Sequence, residues 1–552
     1  MRLSLFVLAA ASLLATGASS LSIPSTRPLD TRAAEPLTTV DTTSGRAQGV
    51  YLADSRVYRW LGIPYGEDTG GAARFTPSVL AARREGVIDA SQAAFSCPSV
   101  QSASSYAKLA FTGQQIDPPS RWSEDCLRVN IWVPESARKG TGGSKAILLW
   151  VYGGSHNTGT ATIPLYNGAN LAQNEDVIVI TFAYRHSIFA NPLSDYVTKQ
   201  NSEKGWNFGL RDLDLVLEWT QKNAAQFGGD ADRITLFGGS SGSTMIDAYS
   251  FSHYNKPSRA AGLIISSGAV AGLEIATGTK SIGNFGRPFS EWNTVADAVG
   301  CGKANDQKQF KCMQQVPMLT LVDAVVAANA RDNKIQFGPT PDGQTWFANY
   351  ATRSNLGLFA KVPTLIGSNS DEATLFADSP SNTAVVVLSN LAFTPLLWTC
   401  PALAGAADRA RAGVPTWRYL YKGAWEDFTQ GYPALGSYHF AECPMLFGTF
   451  PAHYLGDPSH AVTIPQAQND VSRWMQGAWA AFARDPQNGL TQMGWQQYDN
   501  NLLGSRLAVI ADGNKANVTY SRSTVIDQAG CSLEVPVSGV LVGVQQNIAS
   551  LW

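Results

Sequence analysis

Charged residues are scarce in this chain, making up 15% of its 552 residues, against about 25% in an average soluble protein. The 41 lysines and arginines are balanced by 43 aspartates and glutamates, for a net charge of −2. There is no basic stripe of the kind that neutralises phosphates, so a nucleic-acid partner is excluded. Beyond the N-terminus we find no apolar run long enough to span a bilayer. Internal repeats and low-complexity linkers are also lacking. These absences exclude a nucleic-acid-binding protein, a fibrous chain and a polytopic membrane protein.

The first twenty residues have the composition of a secretory signal peptide. Arg2 supplies a positive charge, residues 3–14 form an apolar stretch, and mostly small residues follow at positions 15–20. The apolar stretch is too short to span a bilayer comfortably, which makes a retained anchor the weaker interpretation. We therefore expect a signal peptide over residues 1–20 and a secreted mature chain over residues 21–552. We expect that chain to fold as a single domain without a stable membrane anchor.

Export would place the cysteines in an oxidising compartment, where they form disulfides. The chain has seven cysteines, so at least one must stay free or pair outside the chain. Asn517 begins the only N-x-S/T sequon, which makes it the candidate glycosylation site. The residues show no metal-ligating pattern and no cofactor-binding loop, so we expect neither a metal nor a cofactor.

Short apolar runs rich in β-branched residues alternate with longer helical patterns along the chain. Strands are predicted at residues 146–152, 176–183, 233–237, 261–265, 362–366, 417–421 and 507–510. Residues 210–227 and 471–483 carry apolar side chains at helical spacing. The alternation predicts an α/β fold: a large, mostly parallel sheet with helices on both faces and long loop elaborations.

Ser240 lies in a G-x-S-x-G motif, residues 238–242, between a predicted strand and a predicted helix over residues 244–251. A nucleophile on such a sharp turn adopts strained dihedrals and needs small neighbours, which Gly238 and Gly242 supply. The helix that follows directs its N-terminal N–H groups toward the oxygen that becomes charged. The motif therefore predicts Ser240 as a nucleophile; the alternative is a Gly/Ser-rich turn without chemical significance.

A second glycine-rich turn, residues 153–156 (GGSH), follows the strand predicted over residues 146–152. Backbone N–H groups from such a turn can bind the negative oxygen of a tetrahedral intermediate, and removing one donor typically lowers the rate about 10²–10³-fold. We predict an oxyanion hole formed by the N–H groups of Gly154, Ser155 and Ser241.

The acid and the histidine of the predicted site are constrained by chain order. α/β-Hydrolases carry their triad in the order Ser, acid, His. Three of the six histidines precede Ser240 or follow it too soon, and three remain: His439, His453 and His460. The predicted strand 362–366 runs into Asp371 and Glu372, and active-site groups lie beyond the carboxyl ends of strands in open α/β sheets. The residues alone decide neither which of the two carboxylates is the acid nor which of the three histidines is the base.

Several segments, in the same order over almost the whole mature chain, resemble the type-B carboxylesterase/lipase (cholinesterase) family. They are residues 62–65 (GIPY), 74–77 (RFTP), 123–132 (SEDCLRVNIW), 227–230 (FGGD), 367–372 (GSNSDE) and 436–448 (GSYHFAECPMLFG). The resemblance, to secreted members of fungal type, implies an α/β-hydrolase fold. It also implies a serine carboxylesterase that hydrolyses a small-molecule carboxylic ester through an acyl-enzyme intermediate.

The resemblance also implies roles for individual residues. It makes Ser240 the nucleophile, His439 the general base and Glu372 the acid, with Ser267 in contact with the acid. It pairs the cysteines as Cys97–Cys126, Cys301–Cys312 and Cys400–Cys531, which leaves Cys443 free. A Cys400–Cys443 bond would satisfy the same count of free cysteines.

Two positions depart from the family pattern. Gly239 stands where the family usually has Glu, Gln or Asp before the nucleophile, so no side chain there can act on His439. The turn 153–156 has Ser155 in place of a glycine and His156 where an aromatic residue is common. Both departures bear on the shape and polarity of the acyl pocket.

Two other functions share most of these features. An acyltransferase or transesterase of secondary metabolism would use the same triad and pass the acyl group to an alcohol or amine. A non-catalytic cholinesterase-like binding protein would be expected to lack a triad residue. Lipase action would need a mobile apolar lid. The candidate is the Cys97–Cys126 loop, which contains Tyr106, Leu109, Phe111 and Ile116.

Overall fold

The computed structural model of the protein describes residues 36–100, 117–270, 290–332, 335, 337–377, 381–429, 432–450, 463–499, 505–523 and 531. The described residues from Leu37 onward belong to one compact unit. The predicted signal peptide (residues 1–20) lies outside the described residues, and so do residues 101–116 of the predicted lid, with all four of its named apolar residues.

An eleven-stranded sheet forms the centre of the described residues. In chain order its strands are β1 (Val50–Leu52), β2 (Val57–Pro64), β3 (Arg128–Pro134), β4 (Lys145–Val151), β5 (Ile178–Phe182), β6 (Gly229–Gly239), β7 (Gly262–Ser266), β8 (Thr364–Asn369), β9 (Thr416–Tyr421), β10 (Arg506–Ile510) and β11 (Val518–Arg522). Their spatial order is β11-β10-β9-β8-β7-β6-β4-β5-β3-β2-β1. All neighbours from β10 to β5 are parallel, and the outer pairings are antiparallel. A separate small sheet joins Thr39–Thr42, Gly45–Gln48 and Val87–Asp89.

Helices flank the large sheet. The longer ones are α1 (Ala169–Glu175), α2 (Asp195–Gln200), α3 (Phe208–Asn223), α4 (Ser241–Ser252), α5 (Ser290–Ala298), α6 (Gln307–Gln315), α7 (Met318–Asp332), α8 (Tyr350–Asn355), α9 (Thr383–Thr394), α10 (Cys400–Arg411) and α11 (Gln466–Arg484). Single-turn helices span Glu135–Arg138, Ser187–Ala190, Glu426–Thr429, Cys443–Phe447 and Gly489–Gln492. On one face, α4 and α10 are joined by the buried ion pair of Asp247 with Arg409. On the other, Trp479 of α11 packs on Tyr419 of β9, with ring centroids 5.2 Å apart.

The central strands are apolar without alternation because both faces of the sheet are covered. All seven residues of β4 and all five of β5 are buried, as expected for parallel strands between two helical layers. The predicted elements are present with shifted ends: β6 begins four residues before the predicted strand and α4 three residues before the predicted helix. The prediction of a mostly parallel sheet flanked by helices is confirmed.

One helical stretch departs from expectation. From Thr383 to Arg411 the chain is continuously helical, and among the described residues this stretch is long and apolar enough to cross a membrane by length and composition. The expectation that no such run exists beyond the N-terminus is therefore wrong, because residues 379–407 contain no charged side chain. The core helices of folded proteins meet the same criterion. Here Phe393, Leu397 and Trp398 are buried, whereas Leu388 and Leu391 are exposed.

Three disulfides connect distant parts of the chain. They join Cys97 to Cys126, Cys301 to Cys312 and Cys400 to Cys531, the same three pairs that the family resemblance implies. Cys443 is free and buried, and its burial raises the pKa of the thiol well above the ordinary value. The Cys400–Cys531 bond closes the longest of the three loops, with a sequence separation of 131 residues.

We expect thiol titration of denatured, unreduced protein to find one free cysteine per chain. The native protein should react slowly, because Cys443 is buried and largely protonated at neutral pH. Replacing both Cys400 and Cys531 with Ala should lower the free energy of unfolding by about 3–5 kcal/mol. Without the bond the unfolded chain gains the conformational entropy that so long a closed loop had removed. A peptide map that links Cys400 to Cys443 would contradict this arrangement.

Candidate active site

Ser240 occupies the turn between β6 and α4. Its backbone has φ 56° and ψ −132°, a conformation that few residues other than glycine adopt. The Ser240 N–H donates to the carbonyl of Ser266 at 3.0 Å, and the N–H of Thr244 donates to the Ser240 carbonyl at 3.0 Å. A β-carbon on Gly242 would lie 2.2 Å from the carbonyl oxygen of Val151. The turn therefore requires the small neighbours that its motif supplies.

The turn over residues 153–156 lies directly beside Ser240. A β-carbon on Gly153 would lie 2.8 Å from the Cβ of Ser240. Gly154 and Ser155 have φ values of 124° and 57°, and the neighbouring His156 N–H donates to Oγ of Ser241 at 3.3 Å. Ser241 is the first residue of α4. The structure thus brings together the three residues predicted to form the oxyanion hole, whose function remains a prediction.

Glu372 and His439 form a buried hydrogen-bonded pair. Nδ1 of His439 lies 2.5 Å from Oε2 of Glu372, and the two side chains are 3% and 0% exposed. The backbone N–H of Asn369, the last residue of β8, donates to Oε1 of Glu372 at 2.7 Å. These bonds fix one edge of the imidazole against the acid and direct Nε2 away from it.

Three aromatic rings surround the imidazole of His439. Phe440 lies 4.9 Å from it between ring centroids, and Phe376 and Trp398 each lie 5.3 Å from it. Nε2 of His439 is buried and makes no hydrogen bond to the described residues, Ser240 included. Catalytic hydrogen bonds are often long in the absence of substrate and tighten only in the reacting complex. Phe440 contacts the imidazole and also reaches the Ser240 turn, because a β-carbon on Gly239 would lie 2.7 Å from its ring.

Asp371, the neighbouring carboxylate, is held in another direction. It accepts hydrogen bonds from the Ser437 N–H at 3.0 Å, from the Asn390 side chain at 2.7 Å and from the Ser370 hydroxyl at 2.5 Å. Asp371 thus connects the segment after β8 to the segment before His439 and to α9. Among the described contacts it has none with the imidazole.

Sequence reasoning gave no role to Asn369 and Glu442, which connect the acid and the histidine segments. The side-chain amide of Asn369 donates to the Tyr438 carbonyl at 2.8 Å and to Oε2 of Glu442 at 2.6 Å. Burial, and then the charge of Glu372, raise the pKa of Glu442 to about 7. Their spacing from the acid and the histidine is the sequence feature that could have identified them. Asn369 is three residues before Glu372, and Glu442 is three residues after His439.

The hydroxyl of Ser267 does not make the expected hydrogen bond to the acid. Oγ of Ser267 is buried and makes no hydrogen bond to the described residues, so the expected contact with the acid is not made through this hydroxyl. The backbone N–H of Ser267 donates to the Gly367 carbonyl at 2.9 Å, with φ 57° at Ser267. Asn369 and His439 instead bind the two oxygens of Glu372.

The remaining predictions concern the glycosylation site, the other candidate histidines and the absence of a metal. Asn517 is exposed, as a glycosylation site must be. His453 and His460, the other candidate histidines, lie outside the described residues. Within the part of the chain that the structure describes, no group of three or more His, Cys, Asp or Glu side chains could hold a metal ion.

The raised pKa of Glu442 makes the stability of the fold depend on pH. Between pH 4.5 and about 7 the folded state holds a proton on Glu442 that the unfolded state has released, so stability falls as the pH rises through that range. Glu442→Gln keeps an acceptor for Asn369 but cannot titrate. We expect its free energy of unfolding to fall less than that of the wild type over this pH range, by on the order of 2–3 kcal/mol. Chemical denaturation at pH 4.5, 6 and 8 measures the effect.

Glu203→Gln, which neutralises an exposed carboxylate, is the matched control and should leave the fall in stability unchanged. Parallel stability curves for the wild type and Glu442→Gln over this range would contradict the assignment.

The sequence of the chain is similar to a family of known proteins and to several of its relatives. The family model described as "Carboxylesterase family" matches residues 36–391. Secreted lipase 5 of Gibberella zeae is 28% identical over 505 residues, which cover 86% of this chain and 90% of the relative. Chlorogenic acid esterase of Aspergillus niger is 31% identical over 455 residues, covering 82% and 83%. An inactive carboxylesterase-like protein of Byssochlamys spectabilis is 27% identical over 495 residues, covering 78% and 81%.

A solved structure of a PNB esterase superimposes with a TM-score of 0.70 at 22% identity, covering 89% of this chain and 99% of that one. The likeness confirms the α/β-hydrolase fold. The predictions of the family and of a carboxylesterase are also confirmed, because the family model covers more than half of the chain. The chain belongs to the carboxylesterase family.

Proposed function

We propose that the protein is a secreted hydrolase of small-molecule carboxylic esters that works through an acyl-enzyme with Ser240, His439 and Glu372 as its triad. The observation that carries the proposal is the buried hydrogen bond between Glu372 and His439. It supports a base whose free nitrogen is available to a hydroxyl. Phe440, which packs against the imidazole, also contacts the turn that carries Ser240.

Acylation begins with attack by Oγ of Ser240 on the ester carbonyl carbon while Nε2 of His439 takes the hydroxyl proton. The carbonyl oxygen becomes negative and accepts hydrogen bonds from the N–H groups of Gly154, Ser155 and Ser241. The tetrahedral intermediate then expels the alkoxide, which leaves as the alcohol with the proton from His439. The acyl group remains on Ser240.

Deacylation repeats these steps with water in place of Ser240. His439 takes a proton from water, the hydroxide adds to the acyl carbon, and Ser240 leaves with the proton returned by His439. Glu372 holds the imidazole in the tautomer that exposes Nε2 and stabilises the imidazolium formed in both steps. Asn369 fixes Glu372 through a backbone N–H that cannot rotate away.

Secretion is supported by independent features. Three disulfides are the pattern of an oxidising compartment. Asn517 is exposed and open to glycosylation, residues 1–20 have signal-peptide composition, and one relative is named a secreted lipase.

Two alternatives to hydrolysis remain: transfer of the acyl group to an acceptor other than water, and a function without catalysis. An acyltransferase would use the same triad with an alcohol or amine in place of water. The other alternative is a non-catalytic protein. It is considered because one relative is named an inactive carboxylesterase-like protein. Against it, this chain retains Ser240, Glu372 and His439, and the last two are hydrogen-bonded.

We expect the purified protein to hydrolyse p-nitrophenyl esters, and Ser240→Ala to lower kcat about 10³-fold or more while the protein remains folded, because triad members act as a unit. An organophosphate should label Ser240 in the wild type, as peptide mapping by mass spectrometry will show. Ser202→Ala, at an exposed serine, is the control. Label on Ser155 or Ser243 would refute the assignment.

The same assay separates hydrolase from acyltransferase. Esters from acetate to palmitate are offered with and without an alcohol acceptor, and both products are measured. Free acid as the main product at moderate alcohol concentration supports hydrolysis, and predominant transfer to the alcohol would support the acyltransferase. No turnover together with no label would support the non-catalytic alternative.

The two adjacent carboxylates should respond very differently to neutralisation. Glu372→Gln keeps the shape of the acid but removes the charge that stabilises the imidazolium, and we expect kcat to fall at least about 10²-fold. Asp371→Asn should change kcat only a few-fold, because Asp371 binds Ser437, Asn390 and Ser370 rather than His439. Steady-state kinetics on folded variants measures both. An inactive Asp371→Asn beside a near-normal Glu372→Gln would exchange their roles.

A further inference from the structure

Phe440, the residue after His439, has an unusual backbone conformation. Its φ is 75°, in the region that glycine adopts freely and that a bulky side chain adopts only when its surroundings enforce it. The ring is 6% exposed. A large side chain is therefore held where glycine would fit with less strain, which indicates that the ring has a task of its own.

The ring of Phe440 contacts both the imidazole and the backbone around Ser240. It meets the imidazole edge to face, with centroids 4.9 Å apart and an interplanar angle of 88°. A β-carbon on Gly239 would lie 2.7 Å from Cε1 of the ring, and one on Gly153 would lie 2.8 Å from Cζ. The same ring thus contacts the base, the nucleophile turn and the oxyanion turn.

The other two rings at His439 do not make this connection. Phe376 and Trp398 stack on each other, with centroids 5.8 Å apart and planes 4° apart, and both belong to the segment that follows Glu372. They enclose the imidazole together with the acid. Of the three rings, Phe440 is the one with described contacts to both the imidazole and the residues flanking Ser240.

We propose that Phe440 is a positioning residue for His439: its ring occupies the space that a side chain at residue 239 would take, and holds the imidazole in register with Ser240. The proposal rests on the proposed function. It accounts for the glycine at residue 239, because a β-carbon there would lie 2.7 Å from the ring. The apolar ring from the histidine segment thus fills the space beside the nucleophile turn.

The first test removes the ring. Phe440→Ala should lower kcat for a p-nitrophenyl ester about 10–100-fold, because small errors in the position of a catalytic group have effects of this size. KM should change less than about three-fold, because the substrate still binds. Phe440→Leu, which restores most of the volume, should recover part of kcat.

Phe447→Ala is the matched control. Phe447 is fully buried and packs on Trp150, Tyr166 and Phe237, so its loss also opens a core cavity, but no contact with His439 is described. Its kcat per folded molecule should stay within about three-fold of wild type, since its contacts serve packing rather than the base.

The second test is a double-mutant cycle between residues 239 and 440. Gly239→Ala and Gly239→Glu should each lower kcat at least about 10-fold in the wild-type background, since the added β-carbon meets the ring. In the Phe440→Ala background the same changes should have little effect or raise kcat. Gly477→Ala is the control substitution, because a β-carbon at this helix position would make only ordinary van der Waals contact, 3.8 Å from the carboxylate oxygens of Glu175. Gly239→Ala keeps the cycle measurable if Gly239→Glu fails to fold.

A pH profile separates positioning from general packing. In Gly239→Glu/Phe440→Ala a carboxylate replaces the ring beside His439. The acidic limb of kcat/KM should then move upward by about 0.5–1.5 pH units, because a nearby negative charge favours the protonated imidazole. If the ring serves packing alone and the space it fills does not adjoin the imidazole, this limb stays in place.

Three outcomes would overturn the proposal: Phe440→Ala with the kinetics of Phe447→Ala, additive effects in the cycle, or an unmoved acidic limb in the double variant. Organophosphate labelling keeps this failure distinct from failure of the proposed function. If Ser240 is labelled and Ser240→Ala is inactive while the cycle is additive, only the role of Phe440 is wrong.

Discussion

The site depends on how closely backbone segments approach one another around Ser240. Neighbouring parallel strands bring their carboxyl ends to one edge of the sheet, so the ends of β4, β6 and β7 meet there with little space between them. A β-carbon on Gly242 would lie 2.2 Å from the Val151 carbonyl, and one on Gly268 would lie 2.1 Å from the Ser240 carbonyl. The place of Ser240 is therefore set by strand register, which side-chain motion cannot disturb.

A second constraint follows from burying a carboxylate in this crowded region. Glu372 is fully buried, and a buried charge is tolerated only when it is paired and hydrogen-bonded. The bonds from His439 and from the Asn369 N–H meet that need. Asn369 is the last residue of β8, so its hydrogen bond fixes the position of Glu372 relative to the sheet. The hydrogen bond from Glu372 to His439 in turn fixes the position of the imidazole.

The features that sequence predicted well are those determined locally. β4 and β5 are continuous apolar runs, and the G-x-S-x-G turn needs its glycines wherever it occurs. The choice between Asp371 and Glu372 was not local, because adjacent residues have the same chain position relative to β8 and differ only in what they meet in three dimensions. The family resemblance made that choice. Neither source predicted Phe440, because a positive φ at a phenylalanine leaves no trace in spacing or composition.

The charges around His439 give a reason for an apolar ring at this position. Glu372 and Glu442 are both buried beside the imidazole and share the bonds of Asn369, and the charge of Glu372 helps to raise the pKa of Glu442 to about 7. A third carboxylate at residue 239 would add to this repulsion in a region of low dielectric. On the proposed role of Phe440, the ring orients the imidazole without adding charge. Stabilisation of the imidazolium then falls mainly to Glu372, whose geometry the sheet has already fixed.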